Sequence, residues 1–143
     1  MPLLNYTTTI EASKTVNEIQ GNLAKHGARA ILVNYDDTGQ VESLSFIIHS
    51  YDTDIPFRLP VNPNAVLKVL QRQGVPARYK TRQQAIRIAW RIAKNWVEAQ
   101  MAILETEMVK MEQIFLPYMV TKDERTLYET MVDHQFYLTE GKQ

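Results

Sequence analysis

The side chains with the most chemistry to offer in this chain are cations set close together. Arg78, Lys80 and Arg82 alternate along a short stretch with Tyr79 among them, and Arg87, Arg91 and Lys94 follow at helical spacing. Such a row suits phosphate. Guanidinium groups hold phosphate oxygens in pairs, and ammonium groups neutralise them as point charges. A tyrosine beside them can stack a nucleobase. Arg58, on an outward-facing strand position, would extend the patch. The candidate polyanion site is therefore Arg58, Arg78, Tyr79, Lys80, Arg82, Arg87, Arg91 and Lys94.

These residues belong to a wider asymmetry. Residues 55–97 hold nine basic side chains and no carboxylate, whereas residues 1–54 carry a net −4 and residues 98–143 a net −5. The whole chain is neutral. Flanking acids would repel a long duplex, so a short single strand or a nucleotide is the expected partner. A plainer account competes with this one, because Lys and Arg on exposed helix faces also keep a protein soluble, and the acidic thirds can pair with them inside the fold.

Other chemistries find less support. His26, His49 and His134 are scattered, and only His134 has a second candidate ligand beside it, Asp133. Adjacent helical residues point apart, so that pair is a poor chelate and no metal site is expected. His49 and Ser50 are neighbours, but a triad needs three converging groups, and Asp52 and Asp54 read as turn residues. The five glycines are dispersed and build no phosphate loop. Glu105, Glu107 and Glu112 read as a solvated helix face rather than a catalytic pair. The absence of cysteine excludes disulfides, thiolate metal sites and thiol nucleophiles. A protein that is not an enzyme and needs no cofactor is the expectation.

The elements that would position the basic block follow from periodicity. At 143 residues, 45% of them apolar and 22% charged, the chain suits one folded domain with a proper core. Leu4 to Ile10 reads as a strand, and Thr15–Glu18 as a capping box opening a helix that Gly27 ends. Ala30–Tyr35, nearly all apolar, suggests a strand covered on both faces. Leu44, Phe46 and Ile48 alternate with smaller residues as a half-buried strand, and Ile55, Phe57 and Leu59 form another, with Pro56 marking an edge. The expected fold is α+β: a small antiparallel sheet with an N-terminal helix, then a long central helix and short C-terminal helices. Residues 1–60 would be a strand-helix-strand meander, 61–137 helical, and 138–143 a frayed tail.

Within the helical part, Asn64–Gln73 predicts a short helix ended by Gly74 and Pro76. Thr81–Gln84 is a second capping-box spacing, with helical periodicity from there to Leu116, bent near Glu105–Glu107 and stopped by Pro117. Asp123–Asp133 predicts a last helix. The long helix has two apolar stripes, Ala85, Ile88, Ala89, Ile92, Trp96, Ala99 and Ile103, and Ile86, Trp90, Ala93, Val97, Met101 and Leu104. A polar stripe of Arg87, Arg91, Lys94 and Glu98 separates them. So much apolar circumference predicts a central helix or a homodimer through it. Trp90 and Trp96 read as core or interface rather than stacking platforms.

The strings Ile55–Pro60, Ala89–Gln100, Phe115–Tyr118 and Thr126–Glu129 resemble a family of small proteins of uncharacterised activity encoded by phages and prophages. The resemblance spans about residues 6–129. It implies a phage origin and a soluble accessory role, in phage DNA metabolism or counter-defence, and assigns no role to any residue. The start, Met1–Tyr6, lacks the basic residues and apolar run of a signal peptide, and no stretch approaches the ~20 apolar residues of a membrane span. A cytoplasmic protein, in the host cytoplasm if phage-encoded, with no membrane partner is expected. The combined expectation is a phage-type polyanion-binding accessory protein. Its rival is a protein-interaction module that inhibits a host defence protein through acidic or apolar surfaces.

Overall fold

A computed structural model of the chain describes residues 1–136, so the expected frayed tail at 138–143 lies outside the described residues. Helix α1 (Ala12–Lys25) is followed by strands β1 (Ala30–Tyr35), β2 (Val41–Ser50) and β3 (Thr53–Arg58). Helix α2 (Pro63–Arg72), a 3₁₀ turn at Ala77–Tyr79 and the long α3 (Arg82–Glu105) come next. The short α4 (Met111–Ile114), a 3₁₀ turn at Leu116–Tyr118 and α5 (Leu127–Asp133) complete the α+β architecture. The sheet is an antiparallel meander in the order β1-β2-β3.

The hairpin between β2 and β3 is tight because Ser50 pairs with Thr53 and leaves two loop residues. Tyr51 and Asp52 both take left-handed backbone angles, φ 54° and 59°, which match the twist of the flanking strands. Leu44, Phe46 and Ile48 of β2 alternate inward, with Phe57 beside them on β3, and all four are buried. Phe46 stacks on Phe57 at 5.3 Å between ring centroids, and Phe115 meets Phe46 edge-on at 5.1 Å. Val16, Ile19 and Leu23 of α1 and Trp90 and Val97 of α3 complete this main core. Truncating Phe46 to Ala would cost about 3–5 kcal/mol. A smaller core of Leu70, Val75, Ala85 and Ile88 lies between α2 and α3.

Several expectations are corrected. Residues 4–7 form turns and residues 8–10 an irregular segment, instead of a strand. Their carbonyls are occupied elsewhere: buried Gln84 donates from Nε2 to the carbonyls of Tyr6 and Thr8, both at 2.9 Å, so a tertiary bond overrides strand propensity. Helix α1 begins at Ala12, three residues before Thr15. The Thr15 hydroxyl is fully buried and accepts from Arg91 at 3.0 Å, so it is not available as a cap. Glu11 stands at the cap position without capping, because its carboxylate is drawn to Arg87. At the other end Gly27 takes φ 113°, the left-handed stop that its identity suggests. Strand β1 is not covered on both faces. It is an edge strand of a three-stranded sheet, and its Leu32 side chain is exposed.

The long helix stops at Glu105, well short of Leu116. Thr106 Oγ1 donates back to the carbonyl of Ile103, and Glu107 turns left-handed at φ 63°. Neither residue is a Gly or Pro, which is why the break reads from sequence only as a bend. Helix α5 starts at Leu127, where Thr126 and Glu129 form a complete capping box, so residues 123–126 are not helical. Both apolar stripes of α3 find cover inside the chain through Val97. The sheet and α1 cover Ile86, Trp90, Ala93 and Val97, and α2 covers Ala85 and Ile88. Beyond that point Ala99 and Ile103 are exposed. No helix among the described residues is long and apolar enough to cross a membrane.

Candidate polyanion-binding site

Three elements carry the basic block. Arg58 closes β3, Arg78, Tyr79 and Lys80 occupy the 3₁₀ turn and its exit, and Arg82 to Lys94 occupy the first half of α3. The start of α3 is fixed by Thr81, whose Oγ1 accepts from the Gln84 N–H at 3.1 Å. The reciprocal bond of a capping box is missing because the Gln84 side chain faces the N-terminal turns. With Pro76 entering the turn and Thr81 leaving it, the segment between α2 and α3 is short and held at both ends.

The structure divides the block into two groups. Arg87, Arg91 and Lys94 are each neutralised within the fold. Arg87 meets Glu11 across α1 at 2.7 Å and also donates to Gln84 Oε1 at 3.2 Å. Arg91 is buried, with one guanidinium nitrogen shared between Glu18 at 2.9 Å and Thr15 Oγ1 at 3.0 Å. Lys94 pairs with Glu98 one turn along at 2.6 Å. The polar stripe of α3 is therefore a seam to α1, and the α1 acids absorb much of its charge.

Upstream the picture differs. Among the described residues Lys68, Arg72, Arg78, Lys80 and Arg82 form no ion pair. Arg78 and Arg82 are exposed and Lys80 half-buried. Arg82 donates to Asn64 Oδ1, and its charge reaches the turn at Asp36. There the carboxyl is held below its ordinary range, chiefly by the Thr38 hydroxyl, then by the backbone N–H groups of Gln40 and Thr38, and last by Arg82. Tyr79 is half-buried. Its ring meets Tyr6 edge-on at 5.4 Å, and the Arg78 guanidinium lies over it at 4.7 Å. A stacking base would have to take the place of Arg78 on that ring.

Arg58 stands apart from both groups. It donates to the carbonyl of Glu124 at 2.8 Å and lines a cleft with Tyr118, Thr126, Tyr128 and Glu129. A second, apolar cleft of about 300 Å³ lies between α2 and α3. Pro60, Val61, Val66, Ile92 and Trp96 line it. Only the helical spacing of Ile92 and Trp96 hinted at it, and that pattern reads equally as core. Among the described residues no group of three or more His, Asp or Glu side chains could hold a metal ion. Comparisons with models of known families, with curated proteins and with solved structures found no match.

Proposed function

We propose that this protein is a non-enzymatic binding protein of the phage accessory type, taking a short polyanion, a single strand of nucleic acid or a nucleotide, at the 3₁₀ turn before α3. Arg78, Lys80 and Arg82 hold phosphates there, and Lys68 and Arg72 at the end of α2 extend the field. One observation carries this reading: these five cations have no acidic partner among the described residues, while Arg87, Arg91 and Lys94, from the same block, all have one. Unpaired cations keep their full charge for an incoming anion, whereas paired ones must first break an existing contact. Fluorescence anisotropy with a labelled oligonucleotide at low salt, alongside calorimetry with nucleotides, tests it. Binding that weakens steeply with salt is expected. No binding to either class at low salt removes the reading.

The apolar cleft beside Trp96 favours a second reading, a protein-interaction module that docks an apolar side chain of a host protein. Such binding would persist at high salt, where phosphate contacts fail.

A further inference from the structure

The two edges of the sheet are finished differently. Along β3, Pro56 has no N–H to offer another strand, and its carbonyl already accepts from Val120 at 2.8 Å. Phe57 bridges Met119, and Arg58 reaches the Glu124 carbonyl, so the chain after α4 folds back over this edge. Asp54 and Arg58 add charge near its ends. Each of these devices discourages a further strand.

Along β1 they are missing. Ala30–Tyr35 contains no proline and no charge, and among the described residues it pairs with β2 alone. Leu32 and Tyr35 are 60% and 62% exposed. An apolar, uncharged edge is a template for strand addition.

The flanks of β1 select the strand to be added. Arg29 precedes it, and Asp36 and Asp37 follow. A second copy laid parallel would set like charges side by side. Laid antiparallel, it brings the basic flank of each copy to the acidic flank of the other. Residues facing each other across such a pair share one side of the sheet, so a two-fold axis must pass through a residue position. With the axis at Val33, Leu32 faces Asn34, Ile31 faces Tyr35, and Arg29 faces Asp37 at both ends, Arg29 exchanging its exposed 3.6 Å contact with Asp54 of its own copy for the partner's carboxylate. Asp36 is engaged by Thr38 and Gln40 within its own turn, whereas Asp37 is exposed and forms no ion pair among the described residues. We propose that the β1 edge docks a second copy of this chain, β1 against β1 antiparallel, joining the two three-stranded sheets into one.

Sedimentation equilibrium on the full chain reads this directly, with the mass rising from 16.6 kDa toward twice that value as concentration increases. Leu32→Lys, at an exposed position, is expected to hold the mass at 16.6 kDa and to melt at the temperature of the parent chain measured dilute enough to be monomeric. Asp37→Arg is expected to raise the dissociation constant roughly tenfold, because it turns two opposite-charge contacts into like-charge ones. Adding Arg29→Asp is expected to bring it back. A mass of 16.6 kDa at every concentration overturns the proposal. So does a dimer that survives Leu32→Lys and dissociates with Ala99→Arg, since the interface would then lie on the exposed end of α3.

Discussion

Arg78, Lys80 and Arg82 lie within sixteen residues of Arg87, Arg91 and Lys94, and the two groups are alike in composition, yet they meet different surroundings. The downstream group runs along a helix face that α1 crosses, and α1 brings Glu11 and Glu18 to it. The upstream group occupies a short connection and the first residue of α3, where the nearby acid, Asp36, is held by its own turn and forms no ion pair with Arg82. Net charge counted along a sequence therefore says little about charge available to a ligand. What decides is which elements the fold lays across each segment.

Removing a seam residue should hurt stability far more than binding. Arg91→Ala is the severest case, because it leaves Thr15 buried without its donor and Glu18 without its cation, and empties the space of a long side chain. A loss of roughly 2–3 kcal/mol is expected, the partial exposure of Glu18 keeping it below the cost of a fully buried pair. Urea denaturation would read it as a lower midpoint at unchanged slope. An unchanged midpoint would mean that the seam contributes little and that the contrast between the two groups is misdrawn.

The double variant Arg78→Ala, Lys80→Ala should do the reverse. Its stability should stay within about 0.5 kcal/mol of the parent. Its affinity for a short single strand should drop roughly tenfold, about 1.4 kcal/mol. Thermal melting and anisotropy on the same samples would check both halves.

Arg87→Ala sharpens the comparison at its boundary. Its partner Glu11 is well exposed, so the pair should contribute less than about 1 kcal/mol, and oligonucleotide affinity should not change. A fall in affinity equal to that of the double variant would place Arg87 with the upstream group.

The smallest effect is expected at the far end of the α1–α3 seam. His26 donates from Nδ1 to the Asn22 carbonyl at 2.7 Å and from Nε2 to Glu105 at 2.8 Å, an arrangement only the imidazolium can make. The Glu105 bond, then the Asn22 carbonyl, raise its pKa above the ordinary 6.5, and the same contact lowers Glu105 below 4.5. A raised histidine stabilises the fold in full below 6.5 and loses this as pH climbs through the folded-state value. A lowered glutamate does so above 4.5 and loses it as pH falls. The pair therefore acts mainly between those limits. Glu105→Gln should lower the melting temperature at pH 6 and leave it unchanged at pH 9. A shift of equal size at both values would rule out the ionic contact.

Much of the fold was legible because its signals are local. Alternation in β2, Pro56 on the edge strand, Gly27 after α1 and the periodicity of α3 each act over a few residues. The failures share a cause. Thr15, Glu18 and Gln84 looked like capping-box residues, and each is engaged by a partner more than 70 residues away in sequence. The end of α3 depends on Thr106 and on a left-handed Glu107, a conformation that no residue type announced. The candidate site was half legible for the same reason. Residue types exposed the basic block and the i,i+4 spacing of Lys94 and Glu98, but the packing of α1 on α3 is what neutralises Arg87 and Arg91 and sets them apart from the unpaired cations.

The salt dependence of oligonucleotide binding tests the central claim most directly, measured for the parent chain and for Arg78→Ala, Lys80→Ala, Arg82→Ala together. Each phosphate contact to a single strand contributes ~0.7 to the slope of log K against log salt, so a three-contact site should lose about 2 from that slope. The same measurement on Arg87→Ala should reproduce the parent line. A parent chain that binds no oligonucleotide at low salt, or a triple variant whose slope equals the parent's, would contradict a phosphate site at the 3₁₀ turn.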